Sequence, residues 1–521
     1  GGLEPGVADG LLGTESVLRF DGVPPLLFES RFECGNLYKA VQATEMEYDL
    51  VLSPDVNNGG HIQWYYFSVF GMVPGVRYTF NFINMDKPDS MYNFGMKPLV
   101  FSERDAEDDE CGWSRKGDDI CYFQNFFKRK VEEKRAPYYT FSFTYVHHRP
   151  DDRVYFAYCY PYTYTNMLDH LRSLSSCERA GILTRTMLCK SLSGNPVPLL
   201  TVTNLKSSPE EIRRRRYTVI SARVHPGETP ASYMMESIID FLTGPSKEAV
   251  WLRERMVFKI VPMLNVDGVV MGNHRCNLFG VDLNRQYTLP AVSQTPTIYH
   301  LKQMVSALSH SSRDIVMFCD LHAHSRTKSI FMYGCENPRG ISERIIPYMV
   351  AQEDTSFDFE SCNFAVKKSK ANCGRVVMWR SFGIVNSYTM ESSFCSPELG
   401  PRRFFHFKPS CFERLGRNFC TVIAKVINEN QAPVVAAARA LEELFEDKPR
   451  GYGSSRSETR PPSMTSMSAD KSSTKPSAKS LLLTFLPRSG KNAVSAKTKK
   501  GGTKKRKKKN STSVSQGILG K

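Results

Sequence analysis

The chain has 521 residues, of which 41% are apolar and 23% charged. That length suits two to four domains, and the composition excludes both a fibrous repeat and a chain disordered throughout. No stretch reaches the roughly 18 uninterrupted apolar residues of a membrane-spanning helix. The start, Gly1-Gly2-Leu3-Glu4-Pro5, has neither the basic nor the apolar region of a secretory leader, and its lack of Met is expected of a fragment or a processed chain. The net charge of +16 is unevenly placed: residues 447–521 hold 19 Lys/Arg against 3 Asp/Glu, and residues 1–446 hold 50 of each. The body is therefore neutral, and any preference for acidic ligands there must come from local placement. Fourteen cysteines without a Cys-x-x-Cys pair read as reduced thiols, mostly small buried groups, and not as zinc knuckles.

Residues 1–13 read as a loose leader. From about Val17 to Thr165 the pattern has period two. Tyr78, Phe80 and Phe82, then Phe141, Phe143 and Tyr145, then Val154, Phe156, Tyr158 and Tyr160 alternate with more polar neighbours, and turn clusters such as Val73-Pro74-Gly75 separate the runs. This predicts an antiparallel β-sandwich over 14–165. It carries no ligand cluster, because the adjacent His147 and His148 would point to opposite faces of a strand. From Asn166 helical spacing (Asn166–Leu174, Ala231–Leu242, Ile298–Leu308) alternates with apolar runs (Tyr217–Val224, Val257–Leu264, Ile315–Leu321, Val385–Met390). Such alternation predicts an α/β domain over 166–430 with helices on both faces of its sheet. Ala432–Phe445 reads as an amphipathic helix (431–447 in all), and 448–521 as a disordered basic tail.

Three apolar runs end in chemistry. Tyr217–Val224 is followed by His225-Pro-Gly-Glu228, Ile315–Leu321 by His322-Ala323-His324, and Val385–Met390 by Glu391. Ligands of open α/β sheets bind at the carboxyl ends of strands. His225, Glu228 and His322 make a two-His, one-carboxylate set with a position left open, as catalytic zinc sites have. His324 is left out of it. A satisfied structural histidine is the plain alternative for each ring taken singly. Glu391, between Met390 and Phe394, is costly to bury without a task, and beside an activated water it is placed to act as general base. Arg275 and the pair Asn284-Arg285 bring fixed donors after the second strand, suited to a carboxylate or an oxyanion; without a metal nearby they read equally as surface groups.

These motifs resemble the zinc metallocarboxypeptidases of the funnelin superfamily, specifically the cytosolic carboxypeptidases. The resemblance rests on Ala222-Arg-Val-His-Pro-Gly-Glu228, Gly272-Asn-His-Arg275, Asp282-Leu-Asn-Arg285, Asp320-Leu-His322 and Ser387-Tyr-Thr-Met-Glu391, in the family's order, with Tyr160-Pro-Tyr-Thr-Tyr-Thr165 at the domain junction. It covers about residues 26–425. It implies a mixed-sheet carboxypeptidase domain behind an antiparallel β-sandwich. It also implies one zinc on His225, Glu228 and His322, with Glu391 as base and Arg275 as oxyanion helper. Asn284 and Arg285 would anchor the substrate's terminal carboxylate, and Arg375, in Gly374-Arg-Val-Val-Met-Trp-Arg380, would read an acidic side chain. A pocket tyrosine of digestive relatives has no counterpart that the sequence places. The implied activity is removal of glutamates from acidic protein tails such as tubulin, in the cytoplasm, with microtubule, centriole or cilium association. A deacylase of N-acyl amino acids on the same fold, or an idle enzyme that binds polyanions or microtubules through its tail, are the alternatives.

Two basic runs have plainer readings. Arg213–Arg216 is read as solvated surface or as steering for acidic tails. Lys504–Lys509 is read as a nuclear-localisation patch, as an arm for polyanions or for the acidic surface of a microtubule, or as part of a merely solubilising tail; it is the one route to nucleic acid. Arg488-Ser-Gly-Lys491-Asn lacks the first glycine and the final hydroxyl of a P-loop, so no nucleotide is expected.

Overall fold

The computed structural model describes residues 15–16, 24–109, 112–131, 134–311, 313–337 and 340–446. The leader 1–13 and the tail 448–521 lie outside the described residues.

Alternating aromatic residues close the amino-terminal domain. One sheet runs β1 (Glu15–Ser16), β3 (Lys39–Thr44), β4 (Glu47–Val51), β6 (Arg77–Met85), β10 (Lys134–Val146) and β9 (Asp118–Val131), strands being numbered along the chain. The other runs β2 (Leu27–Glu29), β5 (Tyr66–Phe70), β11 (Arg153–Ala157), β7 (Leu99–Ser102) and β8 (Ser114–Arg115). Phe67 and Phe156 from the second sheet stack within a cluster with Phe80, Phe82, Phe141 and Phe143 from the first, all fully buried. The sandwich is largely antiparallel as expected, but β1–β3 and β4–β6 pair in parallel. The expected run through Tyr160 leaves the sheet after Ala157, although Tyr158 and Tyr160 stay buried.

The second domain holds a seven-stranded mixed sheet in the order β12 (Leu183–Lys190), β13 (Pro196–Val202), β15 (Met256–Val261), β14 (Arg216–Ala222), β16 (Ile315–His324), β18 (Ser387–Ser393) and β17 (Ile330–Tyr333). The four strands β15, β14, β16 and β18 are parallel and the outer ones antiparallel. After Arg216 β14 is buried along its length, as a strand covered on both faces must be. From β14 the chain crosses to β15 on one side, then to β16 on the other. The order therefore reverses between β14 and β16, which is where an open α/β sheet forms its crevice. The carboxyl-terminal helix Ala432–Glu446 packs on the helix Ser342–Glu353, with Phe445 under the Arg344 guanidinium at 4.9 Å.

The sandwich is bonded to the loops that follow β15 in the second domain. Asn36 Nδ2 donates to the Gly272 carbonyl (3.2 Å), Asn57 Nδ2 to that of Leu278 (2.8 Å) and Asn58 Nδ2 to that of Gly280 (2.8 Å), and Cys34 N to Val270 O (3.1 Å). Asp55 accepts the backbone N–H groups of His274 (2.5 Å), Arg275 (2.7 Å) and Cys276 (2.6 Å). The Arg213–Arg216 run divides: Arg213 and Arg214 are exposed, as a solvated surface would be, whereas Arg215 and Arg216 are built into the body. Arg215 is buried against Thr203 Oγ1, Asn204 O and Ser207 Oγ, Arg216 pairs with Asp314 at 2.8 Å, and none of the four lines the cleft described next.

Candidate active site

β14 ends at Ala222, and the chain turns at Arg223, whose φ of +54° lies in the region L-residues seldom adopt. The turn is held from inside. The fully buried Arg223 side chain donates to the Pro226 carbonyl (3.0 and 2.6 Å), the Tyr162 carbonyl (3.0 Å) and Ser232 Oγ (2.9 Å). Gly227 N bonds His274 O at 2.9 Å, and a Cβ at Gly227 would meet His274 Nδ1 at 2.6 Å, so only glycine lets these two loops touch. This clamp delivers His225 and Glu228 to the sheet end where β16 delivers His322.

One ligand atom each from His225, Glu228 and His322 lie within 4.8 Å of one another, and the two imidazole centroids are 4.9 Å apart. His225 Nδ1 is 2.7 Å from Glu228 Oε1, and His322 Nδ1 is 2.9 Å from Glu228 Oε2. The outer nitrogens are also taken: His225 Nε2 faces Asp282 Oδ1 at 3.1 Å, and His322 Nε2 faces Asp320 Oδ2 at 2.8 Å. Each ring therefore has a carboxylate at both nitrogens, although a neutral imidazole donates from only one. A cation among the three groups resolves the conflict: Nε2–H donates outward to the aspartate, and the Nδ1 lone pair points inward. Carboxylate-backed imidazoles with one further carboxylate form a donor set that fits zinc. Burial opposes the charge on Glu228, but the two imidazoles outweigh it and hold its carboxyl well below the usual range. Burial likewise opposes protonation of His322, and Asp320 and Glu228 overcome it, raising the ring well above its ordinary value.

Asp282 and Asp320 lay inside motifs quoted from the sequence, but their orienting role was missed. Strand period carries the signal for one of them, since residues 320 and 322 share a face of β16. Asp282 does double duty, its Oδ2 taking Nε (2.9 Å) and Nη2 (2.6 Å) of Arg275.

All eight sequence-derived site residues line one cleft of about 600 Å³. Glu391, on β18, lies opposite His322 in register. Among the described residues no hydrogen bond or ion pair engages its carboxylate. Asn284 and Arg285 sit on the turn Leu283–Arg285, where Asn284 Oδ1 accepts from Gly374 N (3.0 Å) and Arg285 Nη1 donates to Asn284 O (2.9 Å). Arg375 opens the helix Gly374–Phe382, is buried, donates Nε to Gly334 O (3.2 Å) and stands 5.1 Å from the Tyr333 ring centroid. Beside them the cleft contains Lys370, whose pKa is lowered by burial first and then by Arg285, a cation that the sequence reading passed over.

Two comparisons of sequence bear on this geometry. Residues 171–343 match the family model described as zinc carboxypeptidase, and residues 28–159 the cytosolic carboxypeptidase N-terminal domain. The chain is 42% identical over 422 residues to cytosolic carboxypeptidase 4 of Mus musculus, covering 76% of this chain and 38% of that protein. It is 42% identical over 428 residues to cytosolic carboxypeptidase 1 of Homo sapiens, covering 77% and 35%. The chain belongs to the cytosolic carboxypeptidase family. It spans 38% and 35% of the length of these two relatives. The fold is also that of a metallo-carboxypeptidase from Burkholderia cenocepacia, with a TM-score of 0.63 at 21% identity over 77% of this chain and 98% of that one. Zinc is the metal of this family, and the His225, Glu228 and His322 cluster is the candidate site for it.

Proposed function

We propose that this cytosolic carboxypeptidase family member removes glutamate from the carboxyl ends or side-chain branches of acidic protein tails, tubulin tails being the prime candidates. The observation that carries this reading is the lining of the cleft. Eight Lys/Arg face three carboxylates there, in a body whose residues 1–446 hold 50 of each sign. The positive charge is concentrated where the substrate ends, as a site for an acidic tail requires. Cytoplasmic action beside microtubules follows from that substrate, and the relatives' names, cytosolic carboxypeptidases, agree with the compartment.

The geometry supports these roles. Asn284 and Arg285 hold the terminal carboxylate, and Arg375, braced by Gly334 and Tyr333, meets the glutamate side chain. Glu391 takes the proton of the attacking water and passes it to the leaving amine. Arg275, fixed by Asp282, stabilises the oxyanion. His225, Glu228 and His322 would hold zinc, which when bound would supply Lewis acidity.

The test is mass spectrometry of synthetic tails ending in Glu, Asp, Tyr or branched Glu, with and without a chelator. Loss of single glutamates, abolished by the chelator, is expected, and hydrolysis that persists through complete metal removal sinks the reading. Arg375→Met separates selectivity from catalysis. It is expected to lower kcat/KM for tails ending in Glu by about 100-fold and for those ending in Tyr by less than about fivefold, since a buried charge-assisted pair is lost only for the acid. Equal losses on both peptides remove Arg375 from the selectivity role.

A further inference from the structure

The β-sandwich supplies a cleft residue of its own. Lys87 follows β6, and its Nζ lies 3.2 Å from Ser325 Oγ and 3.3 Å from His274 Nε2. Among the described residues Lys87 makes no ion pair. Its two partners are uncharged, because burial and the nearby Lys87 ammonium keep His274 well below its ordinary pKa. An ammonium has three donors, and these contacts use two of them. Burial lowers the pKa of Lys87 to about 8, outweighing Asp86 and Glu228, which act on it only from beyond ion-pair distance, and a carboxylate bonded to it in the cleft would recover that cost.

Placement says which carboxylate. Arg375 is held by Tyr333 and Gly334, at the β17 side of the sheet, and together with Arg285 and Lys370 it surrounds the expected position of the last residue. Lys87 is held instead by the loops that follow β15 and β16, on either side of β14 and the nearer of them two strands from β17, around the sheet end where His225, Glu228 and His322 gather. The bond to be cut lies over those side chains. The residue before it therefore faces the wall that the sandwich provides.

We propose that Lys87 binds the side-chain carboxylate of the penultimate substrate residue, so that the cleft reads two consecutive acids, one from each domain. This rests on the carboxypeptidase reading above and deepens it. Glutamate chains satisfy both cations, whereas a lone terminal glutamate after a neutral residue satisfies only one.

The experiment uses the full chain loaded with zinc and peptides ending in Glu-Glu, Gln-Glu and Lys-Glu. For the unaltered protein, kcat/KM for Glu-Glu is expected to exceed that for Gln-Glu by about tenfold or more, the worth of one charge-assisted contact. Lys87→Met should bring that ratio close to one, Lys87→Arg should restore most of it, and Lys87→Glu should favour Lys-Glu over Glu-Glu. A merely structural lysine lowers all three peptides together and inverts nothing. A ratio near one in the unaltered protein needs no variant to fold and overturns the proposal, as does an undiminished ratio in Lys87→Met. No hydrolysis of any peptide overturns the carboxypeptidase reading and this inference with it, whereas equal hydrolysis of all three overturns the inference alone.

Discussion

Replacing Glu391 by Gln is expected to lower kcat about a thousandfold, the usual worth of a positioned proton carrier, while metal content stays unchanged. Three features of the structure separate these outcomes. Glu391 lies on β18 opposite His322, outside the cluster of His225, Glu228 and His322 that gathers within 4.8 Å. Its carboxylate faces the cleft with no protein donor among the described residues, so Gln disturbs no bond that the fold depends on. Gln also matches its size and keeps the polar contact with water but cannot accept a proton. Expected readings are an unchanged zinc content by atomic emission, an unchanged melting temperature and unchanged binding of a competitive peptide. A loss of zinc would move Glu391 into the ligand set; turnover at the original rate would remove it from the chemistry.

Much of this site was legible in the sequence, for a physical reason. Buried strands announce themselves as apolar runs, and their carboxyl ends are where such sheets place chemistry. The run Tyr217–Val224 corresponds to Arg216–Ala222, and Ile315–Leu321 to Ile315–His324. The ends were less legible. Met263 and Leu264 stay buried after β15 stops at Val261, and β18 runs on through Glu391 to Ser393 because its polar end is itself enclosed. Apolar character marks burial, not the last ladder hydrogen bond. The parallel pairs of the sandwich left no trace in the alternation, since period two is the same for either direction of a neighbour. Lys87 and Asp55 were illegible for another reason. Each acts on loops nearly two hundred or more positions away, and no spacing rule reaches across two domains.

Asp55 gives that long-range coupling its sharpest expected consequence. Its carboxylate takes three backbone N–H groups, those of His274, Arg275 and Cys276, at 2.5 to 2.7 Å, and is itself buried. Burial pushes its pKa up, and the three N–H groups pull against that rise. Asp55→Ala strands three buried donors at about 1–3 kcal/mol each, so a loss of roughly 3 kcal/mol or more in stability is expected in chemical denaturation. The same change releases the backbone on which Arg275 is mounted. The guanidinium then loses its fixed aim beside Asp282, and kcat should fall about a hundredfold, the scale of one lost oxyanion donor. Asp55→Asn is the sharper probe. It keeps one acceptor oxygen and turns an NH₂ toward donors, so it should hurt nearly as much despite its shape. A double-mutant cycle separates the two effects. On an Arg275→Ala background, Asp55→Asn should cost its full share of stability but little further activity, because the group it positions is already gone. Additive losses in kcat would mean that Asp55 serves the fold alone, and that the sandwich domain meets the catalytic domain without aiming Arg275.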